Sequence, residues 1–322
     1  MRLTGGGMSP ERATLAPAVD ISVVLCTWNR SSLLSGALAA LVAQQDVPSH
    51  EILVVDNAST DGTAAVIAGY AGDAPALRYF YEPEQGLSRA RNTGLRAARG
   101  RIIAFTDDDV RVPAGWLRAL EQAFAAYPEA DCAGGPVLPR WPGPVPRWLT
   151  ERHWAPLGIQ HYGDRPRQVD RDQPFCLIGA NFAVRRDAFD RAGEFDPAVQ
   201  RVGDGGGSTE DQEWQARLWA AGGHGVYAPS LHVDAVVTSD RLDKRHHRQW
   251  HFGHGRHVAR MQLPEMERSR LRVGGIPVHL LRAAAADAAQ WLRGAMRQDE
   301  ARTFEREARL CFAAGYVRER WG

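Results

Sequence analysis

Three adjacent carboxylates, Asp107-Asp108-Asp109, stand directly after the apolar run Ile102-Ile103-Ala104-Phe105-Thr106. They repel one another, so a positive charge should offset them. A hard divalent cation shared with phosphate oxygens would do so. Alternation along an extended turn sends Asp107 and Asp109 to one side and Asp108 to the other. For a lone acidic triplet, a turn opening the next helix is the plainer reading. This triplet has company, however. Thr27-Trp28-Asn29-Arg30 ends one apolar run, Asp56-Asn57-Ala58-Ser59-Thr60-Asp61-Gly62 ends another, and a segment from Gly86 to Gly94 opens a helix. Asp56 can accept from a nucleobase N–H, while Arg91 and the Asn29-Arg30 turn can hold base, ribose or phosphate. Each is more often a turn or cap when taken singly. Their joint placement at one edge of a sheet is specific.

That placement depends on the elements between them. Residues 21–26, 51–55, 77–81 and 102–106 read as strands. Helical spacing fills 31–45, a short stretch to Ala71, 87–99, and 113–126, where Pro113 suits a first helical turn. Strand–helix alternation of this kind predicts a mostly parallel α/β sheet covered by helices, with ligands beyond the carboxyl ends of the strands. Residues 141–174 are rich in Pro, Trp, Arg and His and read as a long functional loop region. Pattern returns at 175–178, followed by a glycine stretch at 203–207, a helix over 210–221, strands within 225–237, and helices beyond Asp240. The expected organisation is a flexible leader at 1–19, a catalytic domain at 20–239 and a basic helical extension at 240–322.

The segments just described resemble a family 2 glycosyltransferase of GT-A fold. So do Gly179-Ala180-Asn181-Phe182-Ala183-Val184-Arg185-Arg186, Gly193-Glu194-Phe195-Asp196 and Thr209-Glu210-Asp211-Gln212-Glu213, and the resemblance spans roughly residues 20–260. It implies the nucleotide-diphospho-sugar transferase architecture, a mostly parallel mixed sheet flanked by helices. It also implies inverting transfer from a nucleotide-sugar to a hydroxyl on a glycan, a lipid-linked sugar or a small metabolite. Under it, Asp56 contacts the base and Asp107 the ribose, with Thr27, Asn29, Arg30, Arg91 and Asp108 completing the donor site. Asp109 holds Mg2+ or Mn2+ against the diphosphate, and His232 matches a further metal-ligand position. Glu210-Asp211 matches the acidic pair on the acceptor side, with Asp211 as general base. The segment after the His232 strand would close over the donor, making Arg248, His251 and Arg256 diphosphate contacts. Asn181, Trp154 and Trp214 are the expected acceptor contacts.

Each assignment has a plainer rival. A strand histidine is usually packed in a core, Thr209-Glu210-Asp211 is good helix-opening chemistry, and tryptophans are more often core than sugar platforms. Residues 246–257 hold five histidines, but glycines 253 and 255 would interrupt a helix and no cysteine or acidic ligand is near, which argues against zinc.

Composition sets the remaining bounds. The net charge is +1, but residues 240–322 carry 17 Lys+Arg against 10 Asp+Glu, and Lys244 is the only lysine. Arginine forks suit phosphate and carboxylate. Four scattered cysteines form no metal-type pair and fit a reducing compartment. No apolar run reaches the roughly 18 residues that a spanning helix needs. A cytoplasmic protein is expected, with peripheral membrane contact or a homodimer through the amphipathic 276–296 helix as options and no nucleic-acid partner. A nucleotide-sugar-binding module without turnover and a sugar nucleotidyltransferase are the alternatives. No Gly-rich, Lys/Arg-bearing phosphate loop follows the first strand to support the latter.

Overall fold

The computed structural model describes residues 19–45, 47–70, 77–200, 207, 209–262 and 266–322. All but residue 19 of the expected leader, and all but Gly207 of the glycine stretch, lie outside the described residues. The first half alternates as anticipated: β1 (Ile21–Thr27), α1 (Ser31–Val42), β2 (His50–Asp56), α2 (Thr63–Tyr70), β3 (Leu77–Tyr81), α3 (Leu87–Ala97) and β4 (Ile102–Asp107). Next come β5 (Val110–Arg111), α4 (Trp116–Ala126), β6 (Cys132–Gly134), β7 (Val137–Arg140), β8 (Arg167–Val169), β9 (Asn181–Arg185), α5 (Arg186–Ala192), α6 (Glu210–Ala220), β10 (Gly225–Tyr227) and β11 (Val233–Val236). Three long helices follow, α7 (Lys244–Met261), α8 (Val278–Met296) and α9 (Glu300–Trp321).

The main sheet has eight strands in the order β3-β2-β1-β4-β9-β6-β10-β8. β1 to β4 run parallel, β9 is antiparallel to both β4 and β6, β10 is parallel to β6, and β8 is antiparallel to β10. A second sheet, β5-β11-β7, continues the edge where the acidic triplet lies. The chain winds from β1 outward through β2 and β3, then returns to place β4 on the other side of β1. The topological switch point therefore lies between the carboxyl ends of β1 and β4, where open α/β sheets bind ligands.

The pleat sorts the core into two layers. Ile21, Val23 and Leu25 of β1 face Leu34, Leu38 and Leu41 of α1 and Trp116, Leu120 and Phe124 of α4. Val24 and Cys26 face the opposite way, toward Ala90 and Leu95 of α3, Phe189 of α5 and Trp214 and Leu218 of α6. Burial of each large apolar side chain contributes about 1.5–3 kcal/mol, so both faces of the central strands are strongly specified.

The C-terminal helices depart from expectation at one point. Glycines 253 and 255 do not interrupt a helix; α7 runs unbroken from Lys244 to Met261. A Cβ on Gly255 would collide with the Phe312 carbonyl of α9, and one on Gly315 of α9 with the Phe252 carbonyl. The two helices cross backbone to backbone at paired glycines. Replacing Gly255 by leucine should force them apart and cost about 1–3 kcal/mol, as overpacking does. Thermal melting of the variant against wild type measures it, and an unchanged midpoint would show that the crossing tolerates a side chain.

Candidate active site

The turns after β1 and β2 are fastened to each other before either meets the acidic triplet. Asn29 and Ala58 both have left-handed backbones, φ 50° and 60°, which asparagine tolerates and alanine does not favour. Three bonds over-determine the pair. Asn29 N donates to Ser59 Oγ at 3.0 Å, Thr60 N donates to Asn29 Oδ1 at 2.7 Å, and Ser59 N donates to Asp56 Oδ1 at 2.9 Å. Asp61 adds another tie by accepting from the Ser31 amide at the start of α1. Asn29 is thus a strut between the turns at this edge of the sheet. Asp56 is buried at the end of β2, and its second oxygen accepts from the half-exposed Tyr79 hydroxyl at 3.2 Å.

The triplet does not follow simple alternation. Asp107 ends β4, but Asp108 and Asp109 form a turn before β5, and both aim at Arg30. Arg30 Nη1 lies 3.1 Å from Asp108 Oδ1 and 3.0 Å from Asp109 Oδ2. Buried Thr27 donates to the other oxygen of Asp108 at 2.8 Å. Burial, with Asp109 and Asp107 close by and only partly offset by Arg30 and Thr27, pushes the Asp108 carboxyl up to about 6. Arg241, from the turn after β11, reaches Asp109 Oδ2 at 3.1 Å. Arg241 was not among the expected site residues, because it reads as the start of the basic helical extension. Its one signal is that it is the first basic residue past the last strand.

Asp107 interacts with both this turn and a second acidic cluster, its charge acting on Arg30 and Asp108 as well. The charges of Arg91 and Asp211 act on it from α3 and α6. Arg91 is 3 % exposed; its Nη1 lies 2.6 Å from Asp211 Oδ1 and 3.3 Å from Glu210 Oε1, and its guanidinium packs over Phe105 and Phe195. Arg91 was expected at the nucleotide, and the structure places it under the acidic pair. Asp211 also accepts from Gly179 N at 2.8 Å. A side chain at 179 would intrude on the Arg91 guanidinium, which accounts for a glycine there. Glu210 is fully buried while Asp211 keeps some access to solvent. Burial, opposed by Arg91 but reinforced by Glu210, raises Asp211 to about 6.

Several other expected site residues lie elsewhere. His232 is exposed at the start of β11. The residue that bonds the Asp109 carbonyl is Val236, and four residues of strand separate the two, about 13 Å. His232 is therefore out of ligand reach of Asp109. Trp214 is wholly buried, donates to the Gly193 carbonyl at 2.8 Å and packs on Phe182, Phe189 and Phe195, so it offers no face to a sugar. Asn181 is also buried; it accepts from Trp116 Nε1 and donates to the Pro136 carbonyl, tying β9 to its neighbours. Trp154 is half-buried against the small cluster around Trp148 and Leu157. Arg248 and Arg256 pair with Glu307 and Glu319 of α9 instead of turning to the triplet. His251 is held neutral by burial and stacks edge-on against Trp250.

Residues 22–193 match the model of glycosyl transferase family 2. The chain belongs to that family. It is 25 % identical over 190 residues to a glucosyl-dolichyl phosphate glucuronosyltransferase of Haloferax volcanii, covering 58 % of this chain and 59 % of that one. It is 31 % identical over 160 residues to a validoxylamine A glucosyltransferase of Streptomyces hygroscopicus subsp. limoneus, covering 48 % of this chain and 35 % of that one. The succinoglycan biosynthesis protein ExoM of Rhizobium meliloti is 28 % identical over 258 residues, covering 75 % and 76 %. The chain thus spans less than two thirds of the first two of these relatives. In fold it is similar to a mannosyltransferase from Pyrobaculum calidifontis in complex with GDP-Man and Mn2+, with a TM-score of 0.62 at 20 % identity over 94 % of this chain and 87 % of that one. The fold is GT-A, an α/β sheet flanked by helices, with a helical C-terminal extension.

The buried Arg91 salt bridges carry the first test at this site. Arg91→Met would strand two buried carboxylates, and breaking a buried pair from one side costs about 3–5 kcal/mol. Urea denaturation should show a loss of that order at neutral pH. A loss below about 1 kcal/mol would mean that the pair behaves as a solvated surface bridge.

Proposed function

We propose that this protein is a metal-dependent inverting glycosyltransferase that moves a sugar from a nucleotide-diphosphate sugar to an acceptor hydroxyl, with Asp211 as general base. The observation carrying this reading is the convergence of two differently held acidic clusters on Asp107. One, Asp108-Asp109, is tied to arginines that come from turns at the sheet edge. The other, Glu210-Asp211, is fixed by one buried arginine.

The donor set suits a substrate-bridged cation. Among the described residues no group of three or more His, Cys, Asp or Glu stands ready to hold a metal. Mg2+ and Mn2+ prefer hard oxygens, and Mg2+ in particular is commonly held by one or two carboxylates plus substrate phosphates and water. Asp109, with Asp107 beside it, meets that requirement. The carboxylates at this edge also outnumber the arginines that touch them, so an anionic diphosphate entering without a cation would meet repulsion. The cation, when bound, would stabilise negative charge on the departing diphosphate.

The chain's own groups would do the rest. Asp56 and the Asn29–Ser59 turn would orient the nucleoside, and Arg30 and Arg241 would stand at the phosphates. Asp211 would take the proton of the acceptor hydroxyl. Its bonds to Arg91 and Gly179 N fix the carboxylate, and its raised pKa makes it a stronger base than an exposed aspartate. Attack at the face opposite the diphosphate would invert the anomeric centre in one displacement. The acceptor would be a glycan, a lipid-linked sugar or a small metabolite.

Asp211→Asn should keep metal-dependent nucleotide binding by calorimetry and lose at least about 100-fold in transfer, the usual contribution of a general base. Loss of binding would instead make Asp211 a donor residue. The ionised base is the active form, so transfer rate should be full above the Asp211 value and fall as pH drops through about 6. A flat profile down to pH about 4, the ordinary carboxylate range, would remove Asp211 from the role. Asp109→Asn should abolish the enhancement of UDP or GDP binding by Mn2+. An enhancement unchanged from wild type would place the metal elsewhere.

A further inference from the structure

Beyond the last strand the chain builds a second surface that the transfer reading does not use. After α7, residues Arg272–Val273 and Ile276–Pro277 form a small antiparallel ladder closed by Gly274 and Gly275, whose φ values are 55° and 78°. Alternation along it turns Leu271 and Val273 outward, and they are 71 % and 59 % exposed. Between them Arg272 is exposed as well, with its guanidinium on Glu267 and the Gly275 carbonyl. The end of α9 is pinned to this turn, because Trp321 Nε1 donates to the Gly274 carbonyl at 2.6 Å. The Trp321 ring remains 67 % exposed. Three of the most exposed large apolar side chains among the described residues therefore meet at one hairpin tip.

Their surroundings are basic. Arg268, Arg270 and Arg318 are exposed beside the tip. Among the described residues the nearby acids are already paired: Glu267 is bound by Arg272, Arg320 and the Tyr316 hydroxyl, and Glu319 by Arg256 and Arg260. Those two glutamates are matched by four arginines of the extension, so the described charges beside the tip sum to positive. A tryptophan and two aliphatic side chains ringed by arginines match the headgroup boundary of an anionic bilayer, where an amphipathic ring sits between apolar and wet layers. An acidic protein partner would find charge but would leave Leu271 and Val273 without a complement.

We propose that residues 268–273, which lead into the hairpin, and the end of α9 form a docking surface for a negatively charged lipid membrane. The expected membrane contact lay on the 276–296 helix. That helix carries its most exposed apolar residues, Leu292 and Met296, near its far end, away from the hairpin. No helix among the described residues is long and apolar enough to cross a membrane, so the contact is at the surface. The patch lies past the C-terminal end of α7, about 27 Å of helix from the turn bearing Arg241, and is independent of the transferase reading.

Cosedimentation of the full chain with vesicles decides the matter. The protein should bind phosphatidylcholine vesicles containing phosphatidylglycerol, be released by high salt, and ignore vesicles of phosphatidylcholine alone. Leu271→Asp, a change at an outward side chain, should weaken binding about tenfold, and Arg268→Glu with Arg270→Glu should do the same. Circular dichroism confirms that the variants remain folded. Absence of binding, equal binding to both vesicles, or wild-type binding by all variants overturns the proposal. So does a dimer by light scattering that Leu271→Asp turns into a monomer, since the patch would then be covered by a second copy.

Discussion

Arg91 is the group on which the reactive edge depends. Five carboxylates, Asp107 to Asp109 with Glu210 and Asp211, are drawn to one end of the sheet by the ends of β4 and α6. Like charges at such spacing cannot all stay ionised in a poorly solvated place without a counter-charge. Arg91 provides it from within the core, with its guanidinium against Phe105 and Phe195 and its Nη1 on both members of the acidic pair. Lysine would be a poor substitute, since a compact ammonium does not stack on rings while bridging two carboxylates. Gly179 completes the arrangement by leaving room for the guanidinium and giving Asp211 an amide donor. Asp211 is thus held by the Arg91 cation and by a backbone amide, and keeps part of its surface open to solvent.

Arginine serves the other cluster differently. Arg30 and Arg241 come from turns rather than from the core, and each touches a carboxylate at the rim. A divalent cation arriving at Asp109 would compete with both of them. Groups on turns can yield in that competition, whereas Arg91, caged by aromatic rings, cannot. The division between a fixed base and an adjustable donor edge follows from where each arginine is rooted.

Much of this was legible in the sequence, and the failures have physical causes. β1, β2 and β4 were readable because a strand buried on both faces leaves an unbroken apolar run, and the switch point followed from their order. β6, β7 and β9 were not, since strands of three to five residues (Cys-Ala-Gly, Val-Leu-Pro-Arg and Asn-Phe-Ala-Val-Arg) are too short to show a period. The triplet's geometry was misjudged because alternation holds for extended chain, and Asp108-Asp109 is a turn. His232 had the right residue type near the right strand, but register, which pairs Val236 with Asp109, is a long-range property absent from local pattern. Trp214, Asn181 and Arg91 share another cause. Polar or aromatic residues beside a catalytic motif look like ligands until burial shows them bonded inward.

Helix α7 shows that the C-terminal extension is more than an appendage. Its first residue follows Asp243, whose carboxylate caps the helix one turn after Arg241 meets Asp109. Farther along, His257 bonds the Val199 carbonyl, and Gly207 lies against the backbone at His254. Thr209 donates its hydroxyl to that same Val199 carbonyl and opens α6, which begins with the acidic pair. One helix is therefore tied next to the Arg241–Asp109 contact at its N-terminus and next to the Glu210-Asp211 pair at its middle. A straight rod can do both only if it is itself immobilised, and the glycine crossing with α9 does that by bringing two backbones into contact. Glycines that read locally as helix breakers are, in this packing, what lets α7 hold the two halves of the site at a fixed separation.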